Sequence, residues 1–227
     1  MILPKRYRVV ALGAHPDDIE ISMGGLLLRF ARAGHEVVWV VATDGAASEG
    51  AADPALVARR REEAECAARR CSAELLMLAQ PDGELAWQAD TARLVGQLLR
   101  DRRPDLVITH APTDYHPDHR ALSRLVLDTA PFGTAILHAD NMLGLGFEPR
   151  LVVDVSEVFE DKLAALAEHA SQHPEQLIDL LRVWNRFRAL QAGPGGFTWG
   201  EAYATVPRLA ADPYKVLDAL GGYRVLP

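Results

Sequence analysis

Short apolar runs alternate with longer amphipathic segments along most of the chain. Arg8–Ala14 is a run short enough for a buried strand, and Ile19–Ala33 then shifts to helical periodicity, with Leu26, Leu27 and Phe30 on one side and Gly34 as a stop. Val37–Val41 reads as a second strand, followed by a polar loop at 43–50. Asp53-Pro54 marks a helix start, Asp as N-cap and Pro at the first helical position, and this helix runs to about Arg70. Leu75–Leu78 is a third strand, Pro81-Asp82-Gly83 a turn, Thr91–Arg102 a helix, Leu106–Thr109 a fourth strand and Asp118–Thr129 another helix. Further on, Ala135–Leu137 and Leu151–Val153 read as short strands. Ser156 is expected to cap a helix to about Ala170, and Pro174 to open one to about Leu190. Glu201–Val206 reads as a last strand before an irregular tail.

This βαβα order predicts an α/β fold, a parallel sheet with helices on both faces and right-handed crossovers. No repeat or low-complexity linker interrupts it. The chain therefore reads as a single domain, 1–227, in which residues from about 140 to 227 form a small C-terminal helical cap.

Composition narrows the function classes. At 49% hydrophobic residues the chain can bury a full core without staples, and a net charge of −7 with no extended basic run argues against nucleic acid as a partner. Arg59-Arg60-Arg61 runs at once into Glu62 and Glu63, the pattern of a solvated helix face. The two cysteines, Cys66 and Cys71, are poorly spaced for a disulfide within one helix and suit a reducing compartment. No apolar stretch reaches membrane-span length, and the N-terminus lacks a signal-peptide core. A cytoplasmic protein is expected, and self-association into a homo-oligomer is left open.

The chemistry lies where the strands end. In open α/β sheets the functional groups gather at the carboxyl ends of the strands. His15-Pro16-Asp17-Asp18 follows strand one, Asp44 and Ser48 follow strand two, Asp82 follows strand three, and the segment His110–His119, containing His116-Pro117-Asp118-His119, follows strand four. With 8 His, 14 Pro and 17 Asp in the chain, random order would give about 0.04 copies of His-Pro-Asp. Two copies at one sheet edge read as two halves of one site offering imidazole and carboxylate to a metal ion such as zinc or iron. Taken singly, each residue has a plainer reading: Asp17 or Asp18 as a helix cap, His116 or His119 as an exposed loop or cap histidine.

These residues carry a resemblance. The segment His15-Pro16-Asp17-Asp18-Ile19-Glu20-Ile21-Ser22-Met23-Gly24-Gly25 and the segment His116-Pro117-Asp118-His119 are similar to the two defining motifs of the PIG-L/LmbE-type zinc-dependent de-N-acetylases. Weaker matches follow in the family's order: Arg60–Glu63, Pro81-Asp82-Gly83, Lys162 with His169-Ala170-Ser171-Gln172, and Gly200-Glu201-Ala202-Tyr203. The resemblance implies a Rossmann-like fold and a zinc ion, with Fe2+ as the alternative, held by His15, Asp18 and His119. Two imidazoles and one carboxylate leave a position open for water, the hydrolytic rather than the structural pattern. It further implies Asp17 as general base and His116, if protonated, as oxyanion stabiliser. Arg60 and Asp114 are placed on the substrate-binding side. For Arg60 the competing reading is an i,i+3 ion pair with Glu63, and for Asp114 it is a turn or a hydrogen bond that orients an imidazole.

The implied reaction removes an acetyl group from the nitrogen of a small-molecule amino-sugar substrate or its conjugate. Two alternatives stay open. One is another amidase, such as a thiol-conjugate amidase. The other is a non-catalytic sugar- or nucleotide-binding module, although the first loop lacks Gly-x-Gly-x-x-Gly. The sequence departs from the family at Thr43-Asp44-Gly45-Ala46, where many relatives have Gly-Glu, and at Cys71-Ser72, where Leu-Gly is common. His138-Ala139-Asp140-Asn141 is expected to be a surface loop, with contact to substrate as the alternative, His35 to be exposed, and His173 to sit at a helix start.

Overall fold

The computed structural model describes residues 5–47 and 53–227, so Ser48 and the end of the loop after the second strand lie outside the described residues. All its strands join one eight-stranded sheet in the order β3-β2-β1-β4-β5-β7-β6-β8. The first five are β1 (Arg8–Gly13), β2 (Glu36–Thr43), β3 (Glu74–Gln80), β4 (Leu106–Thr109) and β5 (Ala135–Ala139), all parallel to one another. The helices between them are α1 (Asp18–Arg32), α2 (Pro54–Arg70), α3 (Ala89–Arg102) and α4 (Pro117–Thr129). The parallel α/β architecture read from the hydrophobic alternation is thus present, with β1 at the point where the strand order reverses.

Residue parity within the strands separates two cores. Val9 and Ala11 of β1 face one apolar cluster with Ile19, Leu26 and Phe30 of α1 and Ala67 of α2. Val10 and Leu12 face the other, with Val95 and Leu99 of α3 and Leu122 and Val126 of α4. Helix α1 is buried almost all round, because helix α5 (Phe159–Leu166) and strand β7 (Gly200–Thr205) cover its outer side.

The C-terminal region supplies α5 and a long helix α6 (Glu175–Gln191), and it also extends the sheet. Strand β7 pairs antiparallel with β5, β6 (Leu151–Asp154) with β7, and β8 (Tyr223–Val225) with β6. The tail expected to be irregular contains a short helix α7 (Pro213–Leu217) and β8. Its turn chemistry, Asp212 accepting from the Tyr214 amide ahead of Pro213, is an N-cap signal of the same kind as Asp53-Pro54. Ser156 does not cap a helix that runs to Ala170. Its hydroxyl donates to Asp154 Oδ1 and accepts from the Thr198 and Trp199 amides, and α5 ends at Leu166.

Asp140 and Asn141 are buried rather than part of a surface loop, and His138 lies within β5 between β4 and β7. His35 is partly covered: its Nδ1 accepts from the Tyr7 amide at 3.3 Å. His173 is exposed and precedes Pro174, which occupies the N-cap of α6. Among the described residues no helix is long and apolar enough to cross a membrane.

Candidate metal centre and active-site cleft

The turn from β1 into α1 is set by Pro16 and by an unusual backbone at Asp17. Asp17 sits at the N-cap of α1 with φ 115° and ψ −27°, and its side chain makes no capping bond. A non-glycine residue in this region costs on the order of 1–3 kcal/mol, a strain that characteristically collects at functional sites. The surroundings hold it there. The Ile21 amide donates to the Asp17 carbonyl, and Arg60 donates to the Pro16 carbonyl at 2.6 Å. The carboxylate, released from capping, faces the cleft.

Three donor atoms converge beside it. His15 Nδ1 lies 3.2 Å from Asp18 Oδ2, His119 Nε2 lies 3.2 Å from the same oxygen, and the two nitrogens are 3.3 Å apart. Ligands about 2.0–2.1 Å from a tetrahedral zinc stand roughly 3.3–3.4 Å from one another, so this triangle fits three corners of such a site. Three other groupings, His15 with His116 and His119, Asp18 with His110 and His119, and His15 with Asp82 and Asp118, also bring their ligand atoms within 4.8 Å of one another. The contacts of the ring nitrogens argue for the triangle.

His15 Nε2 lies 3.0 Å from Asp82 Oδ1 and 3.3 Å from Asp118 Oδ2, which calls for its proton on Nε2 and frees Nδ1. His119 Nδ1 lies 3.1 Å from Asp114 Oδ2, which frees its Nε2 in the same way. His110 Nε2 instead accepts the Ala14 amide hydrogen at 3.0 Å, so that lone pair is already engaged. The His110 ring stacks on His119 at 3.7 Å. His116 caps α4 by accepting the Asp118 amide hydrogen on Nδ1, which leaves its proton on Nε2.

The electrostatics of the cluster favour positive charge. Burial pulls the His15 imidazole down, but the carboxylates of Asp18 and Asp82 push it up to about 11. His119 is driven the same way, against burial, to about 9 by Asp18 and Asp114. Asp18 is held well below the usual carboxylate range, its burial outweighed by His119, His110 and His15. The field of these aspartates therefore calls for a proton or a cation between the rings, and a bound dication would displace those protons. Burial and the adjacent Asp18 charge raise the Asp17 carboxyl to about 7, against the pull of Arg60.

Arg60 is 3% exposed. It donates to the Gly45 and Pro16 carbonyls and to Asp17 Oδ2 at 3.3 Å. The competing reading, an ion pair with Glu63, is not the geometry found, since Glu63 accepts from the amide and hydroxyl of Ser171. Gly45 makes room for this arrangement: at φ +68° it sits so close that a Cβ would meet Arg60 Nη1 at 2.8 Å and Pro16 Cδ at 2.9 Å. Asp114, read from sequence as substrate-side, lies behind His119. Its Oδ1 accepts from the His116 amide, and it does not line the cleft. Both competing readings, turn and imidazole partner, are therefore the geometry found.

The cleft over this cluster has a volume of about 380 Å³. His15, Asp17, Asp18, His116, His119 and Arg60 line its floor together with Asp82, while Ile21, Tyr115, Met142 and Leu177 form apolar walls. The sequence motifs assign no role to His110, to Asp118 or to these walls. Asp118 was inside the second motif, and His110 is the first residue past β4. The walls come from separate elements and carried no shared signal. Of the weaker motifs, Lys162 and Glu201 form a fully buried ion pair at 2.7 Å behind α1, and His169 contacts Glu20 at 2.8 Å.

Residues 10–130 match the family described as PIG-L, GlcNAc-PI de-N-acetylase. The chain belongs to the PIG-L family. It is 29% identical over 226 residues to the diacetylchitobiose deacetylase of Thermococcus kodakarensis, covering 88% of this chain and 83% of that one. The solved N,N'-diacetylchitobiose deacetylase of Pyrococcus horikoshii, crystallised with an inhibitor, superposes with a TM-score of 0.78 at 26% identity, over 88% of this chain and 84% of that one. A 4-carboxy-2-hydroxymuconate hydratase, GalB of Pseudomonas putida, has the same fold at a TM-score of 0.78 and 20% identity, over 89% of this chain and 98% of that one. PIG-L architecture thus hosts more than one chemistry, and the reaction has to be argued from the site.

Proposed function

We propose that the protein is a zinc-dependent hydrolase that removes the acetyl group from the amide nitrogen of an N-acetylated amino sugar or its conjugate, releasing acetate and a free amine. The observation that carries this reading is the triangle of His15 Nδ1, Asp18 Oδ2 and His119 Nε2, flanked within one cleft by Asp17 and His116. The names of the deacetylase relatives support it. Zinc held by those three residues would polarise the acetyl carbonyl and lower the pKa of a bound water from 15.7 to about 7.

The chain's own groups supply the proton transfers. Asp17, with its carboxyl raised to about 7, is matched to taking a proton from the attacking water at neutral pH and returning it to the leaving amine nitrogen. Its strained backbone keeps it off the helix it would otherwise cap, and Arg60 fixes its orientation. His116 presents Nε2–H without being protonated, because Nδ1 is committed to the Asp118 amide, so a neutral ring can donate to the carbonyl oxygen as it becomes anionic. Asp82, Asp118 and Asp114 fix the tautomers of the two metal-side imidazoles.

The test is an acetate-release assay on protein of measured metal content. The panel is N-acetylglucosamine, its inositol and malate glycosides, diacetylchitobiose and lipid-linked forms. About one zinc per chain and acetate from at least one compound are expected. Silence across the panel with metal bound overturns the reading.

A further inference from the structure

We infer that the cleft selects an uncharged amino-sugar conjugate whose aglycone is apolar, and that it discriminates against anionic conjugates. The inference deepens the proposed function and rests on it. Its first ground is charge. Among the described residues Arg60 is the one Lys or Arg that lines the cleft, and its Nη1 and Nη2 already donate to Gly45, Pro16 and Asp17. Two nearby arginines lie outside the cleft lining. Arg120 donates to the Asp114 and Tyr115 carbonyls, and Arg59 lines a separate depression beside Asp53 and Glu63.

A bound dication does not reverse this balance. Asp18 and Asp82 on the same floor offset its two charges, with the Asp17 carboxyl beside them. A carboxylate or phosphate on the aglycone would enter this field with no guanidinium or ammonium in the described cleft lining other than Arg60, whose Nη1 and Nη2 are engaged and whose Nε is buried, a penalty that a partly desolvated cleft enlarges.

The second ground is the rim. Tyr115, 59% exposed, lines the cleft together with Ile21, Met142 and Leu177, while Leu143 and Leu145, exposed beside Met142 in the chain, lie outside its lining. Scattered exposed apolar side chains are ordinary, but a set gathered round a polar floor is the usual form of a ligand site. The Met142 loop is held in place. Asp140 receives a bidentate contact from Arg188 at 2.5 and 2.8 Å and a bond from Trp184 Nε1, while Asn141 donates to the Leu145 carbonyl. The apolar rim is therefore preformed, so contact with an aglycone need not order the loop first.

The experiment measures kcat/KM for three compounds that share one sugar: free N-acetylglucosamine, its octyl glycoside and its malate glycoside. The octyl glycoside should exceed the free sugar by about tenfold or more, and the malate glycoside should fall below the free sugar by a similar factor. Tyr115→Lys, which adds a cation at the rim, should raise the malate-to-octyl ratio by about tenfold. Acetate release with the malate glycoside equal to or better than the octyl glycoside overturns this inference and leaves the proposed reaction standing. A folded Tyr115→Lys variant whose ratio does not move overturns the placement of the aglycone at the rim. Silence on all three, extended over the wider panel, removes the reaction and the inference with it.

Discussion

Asp114 Oδ2 lies 3.1 Å from His119 Nδ1, on the far side of the imidazole from the Nε2 that faces Asp18. This contact sets which nitrogen of His119 presents its lone pair to the centre and raises the basicity of the ring. Asp114→Ala removes the contact together with the Oδ1 acceptor of the His116 amide. Zinc affinity should fall by about 10- to 100-fold in a chelator competition, the usual cost of losing a carboxylate behind a histidine ligand. Unchanged affinity would show that His119 is oriented by its packing alone.

Asp17 and Asp18 are adjacent in sequence and opposite in behaviour. Asp18 is surrounded by three imidazoles and stays ionised, whereas Asp17 is raised to about 7. Asp17→Asn keeps the size of the side chain and loses the base. With zinc content unchanged, kcat should drop by about 10²- to 10⁴-fold on whichever panel compound the wild type deacetylates best. A variant that turns over at the wild-type rate excludes Asp17 as the proton acceptor.

Much of this site was legible in the sequence because its residues lie in two short motifs at the ends of two adjacent parallel strands. A parallel sheet brings such ends together however far apart they are in the chain. The helix start at Asp53-Pro54 and the strand Leu106–Thr109 were legible for a local reason, since capping chemistry and short apolar runs act within a few residues. The roles of Arg60 and Asp114 depend on partners that no local rule identifies. Arg60 is buried by loops from β1 and β2, so a side chain in a run of charges that reads as solvated becomes an internal brace. The burial of Asp140 was hidden similarly, because its partners Trp184 and Arg188 are on α6.

Gly24 and Gly25 look equivalent in the first motif but differ in their surroundings. A Cβ on Gly25 would stand 2.6 Å from Val155 Cγ1 and 2.8 Å from Glu201 Oε1, the carboxylate that accepts the Gly25 and Leu26 amides and the Lys162 ammonium. A Cβ on Gly24 meets nothing closer than 3.5 Å. Replacing a helical glycine by alanine normally stabilises by about 1 kcal/mol, and Gly24→Ala should be neutral or show that gain. Gly25→Ala should be destabilising by about 1–3 kcal/mol, because overpacking against a buried ion pair outweighs the propensity term. Urea midpoints of the two variants against wild type measure the contrast, and a stabilised Gly25→Ala would contradict the packing described.

His138 is a buried histidine within the sheet, between β4 and β7, and its Nε2 has no hydrogen-bond partner. Burial first, and then the proximity of His110, lower its pKa from 6.5 to about 4. The unfolded chain therefore binds a proton at this residue more readily than the folded one does. The stability contributed by the neutral ring is fully present above about pH 6.5 and is lost progressively as pH falls toward about 4, by up to about 3 kcal/mol. Other groups titrate in the same interval, so the informative quantity is the difference between wild type and His138→Gln, which cannot take up that proton. Urea unfolding at pH 7 and at pH 4.5 should show a smaller loss of stability for His138→Gln than for wild type, whatever the absolute stability of the variant. Equal losses in the two proteins would mean that the ring is already protonated in the folded state or reaches water when it titrates.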